Sequence, residues 1–227
     1  MNTVESQQQP AQVNSACLDF LLMEIVPLSI RVSQTIEREN KDKLRLKLED
    51  LSLEPGTTHT NDPSVNELLF QNKDDLPGTV KILEDELIRS EDVHFRIESY
   101  GFSLGSRISE LLLSQEQQTA HKLVELLDVM KFVCRDVWKN LYGKQMDNLR
   151  TNHRGTFVLV DNSLKLISRM SSSKGMTDTI GKAQPYLWFP CGIIKGILAS
   201  LGIPASVTAE ITQFPSVSFS IQTSIES

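Results

Sequence analysis

The chain has 227 residues, 40% hydrophobic and 23% charged, a composition that supports one well-packed domain or two small ones. With 23 basic against 29 acidic residues, the formal net charge is −6 and the pI about 5.3, which argues against nucleic acid or anionic lipid held by bulk charge. Cys17, Cys134 and Cys191 stand far apart in apolar stretches with no C-x-x-C pair, as in a reduced chain and not a disulfide scaffold.

Residues 1–14 are polar and glutamine-rich and read as a disordered leader without the basic-then-apolar start of a signal peptide. The rest, 15–227, reads as a single domain. From Ala16 to Ile36 apolar residues recur at helical spacing, and Leu18, Leu21, Leu22, Ile25, Val32 and Ile36 are expected to face the core. Phe20, Met23, Pro27 and Ile30 fall on a second line. A helix apolar on two sides is buried on two sides, and in a domain this size another chain can supply the second burial. From about Glu37 to Gly78 the sequence turns charged and then loop-like (EPGTTHTNDPS), so 37–78 is expected to be a mobile insertion with a short helix near Ser64 to Gln71.

Helical patterns then cover Thr79 to Arg89, Asp92 to Gln115 and Ala120 to Leu141. Met146 to Asn162 alternates instead, predicting two strands that turn at Asn152 to Gly155, with a further short strand at Leu164 to Ser168. A flexible SSSKG leads into the apolar run Ala183 to Pro204. Pro190, Lys195 and its glycines make that run a buried helix and not a membrane span. Ser206 to Thr212 and Ser216 to Thr223 predict a closing hairpin bent at Phe214-Pro215. Helices, strand pair, helix, strand pair: the class is α+β with an antiparallel sheet.

Gly101-Phe102-Ser103-Leu104-Gly105 spells G-x-S-x-G, the nucleophile elbow of serine hydrolases, which needs a strand before it and a helix after it. Val93, Ile97, Tyr100, Leu104, Ile108 and Leu111 instead make one helical line straight through the motif. The last histidine, His153, sits in an expected turn, and the final strands carry none. On a helix, Gly101 and Gly105 share a face and admit a second helix closely; Gly192 and Gly196 repeat the spacing. That packing fits within one chain or across a dimer. His59, His94, His121 and His153 lack metal-ligand spacing. Arg150, His153, Arg154 and Asp161 are one conceivable phosphate group, but a solvated turn explains them better. No P-loop or dinucleotide fingerprint occurs. The sequence therefore predicts no catalytic, cofactor-binding or metal site, and no enzyme.

YGFSLGSRISELL, LLDVMKFVCRDVWKNLYGKQMDNLRTNHRGTFVLVDNSLKLISRMS, YLWFPCGIIKGILASLGI and VTAEITQFPSVSFSI follow one another over most of Tyr100 to Ile221. In these motifs the chain resembles the small subunits of TRAPP, the transport protein particle, most of all the subunit-six branch. The resemblance implies an α/β plait, a four-stranded antiparallel sheet backed by helices that dominate the N-terminal half. It implies a heterodimer with a related small subunit through the N-terminal helices, which would place Phe20, Met23, Pro27, Ile30 and Phe102 at or near a partner surface. Further implied partners are larger TRAPP subunits and, indirectly, a Rab GTPase. The complex tethers vesicles and exchanges guanine nucleotide in ER–Golgi and Golgi traffic. The exchange site belongs to other subunits, so no catalytic residue carries over. The implied location is cytoplasmic, peripheral on Golgi and ER-derived membranes through the complex only. A related subunit carries an acylated cysteine after its G-F-x-x-G helix; here SQEQQTAHK has none. The alternative is a lipid- or small-ligand-binding domain of the same fold, its glycine helices lining an apolar channel.

Overall fold

Alternation along the strands decides which face of the sheet is dry. In the computed structural model, which describes residues 14–51, 81–115, 123, 125–152 and 155–223, four strands form one antiparallel sheet in the order β1-β2-β4-β3. They are β1 (Asn148–Thr151), β2 (Thr156–Asp161), β3 (Ala205–Gln213) and β4 (Ser216–Thr223). Phe157, Leu159 and Asp161 of β2 stand opposite Ile221, Phe219 and Val217 of β4, and all are buried. Between them on β4, Ser216, Ser218 and Ser220 are only half-buried, because a period of two sends alternate residues to the other face. Asp161 is the polar member of the dry row and survives there fully bonded. Trp138 Nε1 donates to it at 2.8 Å, the Ser163 N–H at 2.9 Å, and the Lys144 ammonium pairs with it.

Five helices are described: α1 (Ser15–Leu51), α2 (Glu91–Gln115), α3, α4 (Met176–Ala183) and α5 (Trp188–Ser200). α3 comprises Leu126–Phe132, a wide π turn at Val133–Val137, and Trp138–Tyr142. A 3-10 turn, Gln184–Leu187, leads into α5. α5 is buried on nearly every side, packing against β3 and, most extensively, against α2. Its Pro190 falls in the first turn, where the missing N–H has no intrahelical acceptor to lose.

At the α2–α5 crossing the backbones themselves touch. A Cβ added to Gly101 would lie 2.1 Å from the Phe189 carbonyl oxygen, and one on Gly105 2.1 Å from that of Ile193. Reciprocally, Gly192 and Gly196 would each place a Cβ 2.1 Å from a carbonyl oxygen, of Glu98 and Phe102. Only glycine fits such positions, and contacts from Cα–H to carbonyl oxygen add a little attraction. Lys195 pairs with Glu98 at 2.8 Å, and the Ser109 and Ser200 hydroxyls are 2.6 Å apart across the same pair of helices.

Several expectations change. α1 continues through 37–51, so that reach is helix and not loop; the expected helix at 64–71 lies outside the described residues, as do 1–13. Charge hid the helix: between Glu37 and Lys47 only Leu44 and Leu46 are apolar, too few to show a helical stripe. Of the helix expected over Thr79 to Arg89, the described residues 81–89 form two 3-10 turns, Lys81–Glu84 and Glu86–Arg89, instead of an α-helix. Leu164 to Ser168 is turned, with Ile167 and Ser168 N–H groups bonding back to the Leu164 carbonyl. SSSKG is tied down: the Ser172 N–H bonds to Thr179 Oγ1 at 3.1 Å and its hydroxyl to Asp178.

The faces of α1 are also redistributed. Leu22, Val26, Ser29, Ile30 and Ser33 form the buried line, while Leu21 and Ile36, expected inside, are exposed. Two serines on the true core face concealed it. The Ser29 hydroxyl satisfies itself on the Ile25 carbonyl at 2.8 Å, so it enters the core at little cost.

Ion pairs join the 3-10 turns to α4. Glu84 meets Lys174 at 2.8 Å and Lys182 at 3.2 Å, and Lys182 meets Asp178 at 2.9 Å. Hydrogen bonds from Lys174 and then Lys182 hold the Glu84 carboxyl below its ordinary value. The Ser172 hydroxyl, followed by Lys182, does the same for Asp178.

Gly105→Ala should lower stability by about 3 kcal/mol, a fall in Tm of about 6–12 °C for a chain of this size. Gly181→Ala, at a helical glycine with open space around it, should be neutral or raise Tm slightly. Differential scanning calorimetry checks both; equal effects would contradict the crossing. Depressed carboxyl values mean the Glu84 and Asp178 contribution is present above their ordinary values of 4.5 and 3.8 and is lost as pH falls through the lowered ones. Glu84→Gln should therefore flatten the acid limb of a Tm-against-pH curve and leave its neutral plateau's shape unchanged.

Candidate partner interface

Between Asp19 and Glu37, α1 carries only two charged residues, Glu24 and Arg31, and these pair with each other. Of the remaining outward positions, all but Thr35 and the half-buried Gln34 are apolar. Phe20 is 70% exposed, Leu21 63%, and Met23, Leu28 and Ile36 43% each, with Pro27, Ile25 and Val32 half-buried beside them. Leu21, Ile25, Leu28, Val32 and Ile36 follow one another at 4-3-4-4 spacing, the interval that lines up one side of a helix for another helix. Exposed apolar patches of this kind are the pattern found at interaction sites, which makes this face the candidate.

Of the expected interface residues, Phe20, Met23 and Pro27 do lie on this outer side. Ile30 does not: it is 0% exposed in the chain's own core, one position past the arc that faces water. Phe102 is exposed on a different helix, seven residues from exposed Phe95, while its carbonyl faces Gly196. Sequence reasoning placed Leu21 and Ile36 in the core and did not single out Leu28. The absence of charge from 20 to 36, apart from one i,i+7 pair, was the signal available.

Besides its buried line, three polar attachments among the described residues tie α1 to the domain. Asp19 pairs with Lys165 at 2.8 Å and Arg169 at 3.8 Å. Gln34 Nε2 donates to Asp85 Oδ2 at 2.5 Å. Between them, Tyr186 Oη donates to the Met23 carbonyl at 3.2 Å. The notch lined by Leu22, Met23, Leu141 and Tyr142 has about 10 Å³ of room, the size of a water and far below that of a lipid tail.

Ser103 lies exposed in mid-α2 with helix on both sides, so it occupies no strained turn. At Gly101, Gly105, Gly192 and Gly196 the two helices fill each other's grooves with backbone, which does not favour the ligand-binding alternative. Asp161 is committed to Trp138 and Lys144, which removes it from any phosphate group with Arg150; His153 and Arg154 lie outside the described residues. His94 stacks on Trp188 with ring centroids 4.5 Å apart. Among the described residues no cluster of three His, Cys, Asp or Glu could hold a metal, and no helix is long and apolar enough to cross a membrane. Desolvation pushes the buried Cys134 and Cys191 thiols up to about 12, so neither is a thiolate at neutral pH.

Comparison with known proteins agrees on one family. Residues 18–225 match the family described as transport protein particle (TRAPP) component. The chain is 35% identical over 153 residues to Homo sapiens trafficking protein particle complex subunit 6B, covering 67% of this chain and 92% of that one. It is 37% identical over 157 residues to Homo sapiens subunit 6A, covering 69% and 88%. An uncharacterized Schizosaccharomyces pombe protein is 30% identical over 216 residues, 95% of this chain and 66% of that one. In fold, the chain is similar to a Naegleria fowleri trafficking protein particle complex subunit 3 crystallised covalently bound to palmitic acid, with TM-score 0.51, 14% identity, and coverage of 63% and 86%.

Burial sets the thiol chemistry. Cys17 should titrate with a disulfide reagent in the native chain at pH 8, and Cys134 and Cys191 only after denaturation. Rapid native reaction of all three would contradict the packing of α3 and α5.

Proposed function

This chain belongs to the TRAPP family of vesicle-transport proteins, and we propose that it works as a non-catalytic assembly subunit that heterodimerises through the outer face of α1. The observation that carries the reading is the apolar stripe from Phe20 to Ile36, exposed on a helix whose other side is already buried in the chain's own core. Water around five large apolar side chains is costly, and a second helical face removes it. The fitting occupant is another small TRAPP subunit, and a subunit of the third type, whose fold this chain shares, is the first to test. Phe20, Met23, Pro27, Leu21, Leu28 and Ile36 would meet it, with Phe102 as a secondary contact on α2.

Through that dimer the chain joins larger TRAPP subunits, in a complex that tethers vesicles and exchanges nucleotide on a Rab GTPase. Its place is then the cytoplasmic surface of Golgi and ER-derived membranes, reached through the complex. Family membership supports this wider reading.

Leu21→Asp with Leu28→Asp tests the interface. Both side chains face water in the single chain, so the fold should persist with little change in Tm. A charge buried without a partner costs several kcal/mol, so capture of the co-expressed subunit should fall at least a hundredfold. A double variant that still captures its partner would remove this face from the interface.

A further inference from the structure

Pro27 stands inside α1 and has no N–H. The carbonyl of Met23, four residues earlier, is thereby left without its intrahelical donor. Tyr186, on the turn that enters α5, supplies one from outside the helix: its Oη donates to the Met23 carbonyl oxygen at 3.2 Å. Tyr186 is itself buried, and desolvation raises its hydroxyl to about 12, which keeps the proton needed for donation.

The location gives this bond a role beyond stability. Pro27 divides the exposed stripe, with Phe20, Leu21 and Met23 before it and Leu28 and Ile36 after it. A proline leaves two helix segments free to bend about the missing bond, and the direction of the bend depends on what meets the freed carbonyl. With water as partner the Met23 carbonyl tilts outward. Bonded to Tyr186 it is drawn toward the domain. Asp19 with Lys165, and Gln34 with Asp85, anchor α1 on either side but do not touch this joint.

We propose that Tyr186 is a positioning residue for partner binding. By holding the carbonyl that Pro27 orphans, it sets the direction of the Phe20–Met23 half of the face relative to the Leu28–Ile36 half. A partner helix then meets one continuous surface. The inference rests on the reading of α1 as the partner face.

A double-mutant cycle on the full chain tests it, with a TRAPP subunit of the third type as probe and Kd measured by calorimetry well below Tm. Tyr186→Phe should weaken binding about tenfold. Pro27→Ala restores an N–H for the Met23 carbonyl, so in the Pro27→Ala background the same change should alter Kd less than about twofold. Amide exchange over residues 14–26 should rise in Tyr186→Phe and not in the double variant, a readout that stands even if Pro27→Ala alone weakens binding. A Tyr186→Phe chain with lowered Tm but unchanged Kd would overturn the proposal, reducing the bond to a fold contact. Equal losses in both backgrounds would overturn it too, since the effect would not pass through the Met23 carbonyl. If the wild-type chain binds none of the small subunits, the α1 reading fails first and this inference with it.

Discussion

Where α2 crosses α5, no side chain separates the two backbones. Gly101 and Gly105 admit the carbonyls of α5, and Gly192 and Gly196 admit those of α2. This contact sets how far α2 stands from the sheet, because α5 lies between them and packs against β3. α1 rests in turn on α2 and the turns flanking it. A methyl group added at the crossing would push on rigid backbone, which cannot swing aside as a side chain end can. The same contact removes the space in which an apolar ligand could run between these helices.

With that layer fixed, α1 has one side for the core and one side left over. Its inner line includes Ser29 and Ser33, and its outer line is richer in large apolar groups than a solvated helix needs. Burying what is still exposed of five such side chains offers roughly 4–8 kcal/mol, against association costs of about 4–15 kcal/mol. A partner must therefore cover most of the stripe for the complex to be stable. That favours an occupant with a long helical face over a short peptide, and it makes the continuity of the stripe across Pro27 matter.

Much of the fold was legible from periodicity. Strand alternation in TFVLVD and SVSFSIQT, the bend at Phe214-Pro215 that leads into the latter, and the stripe through Ser103 all correspond to elements of the structure. The spacing of the glycines pointed to close packing but left open whether it lay within a chain. What misled was polarity standing in for exposure. Ser29 and Ser33 entered the core by bonding locally or being enclosed, while Leu21 and Ile36 stayed in water, so an apolar count assigned the wrong face of α1. Tyr186 was invisible because its acceptor is a backbone atom 163 residues away. Pro27 in a helical pattern was the one hint that some donor had to approach.

The most direct measurement is the mass, by multi-angle light scattering, of the species purified after co-expression of this chain with a TRAPP subunit of the third type. A stable one-to-one complex is the predicted result. A monodisperse monomer that passes the other subunit by, its α1 stripe open to water, would contradict the central claim.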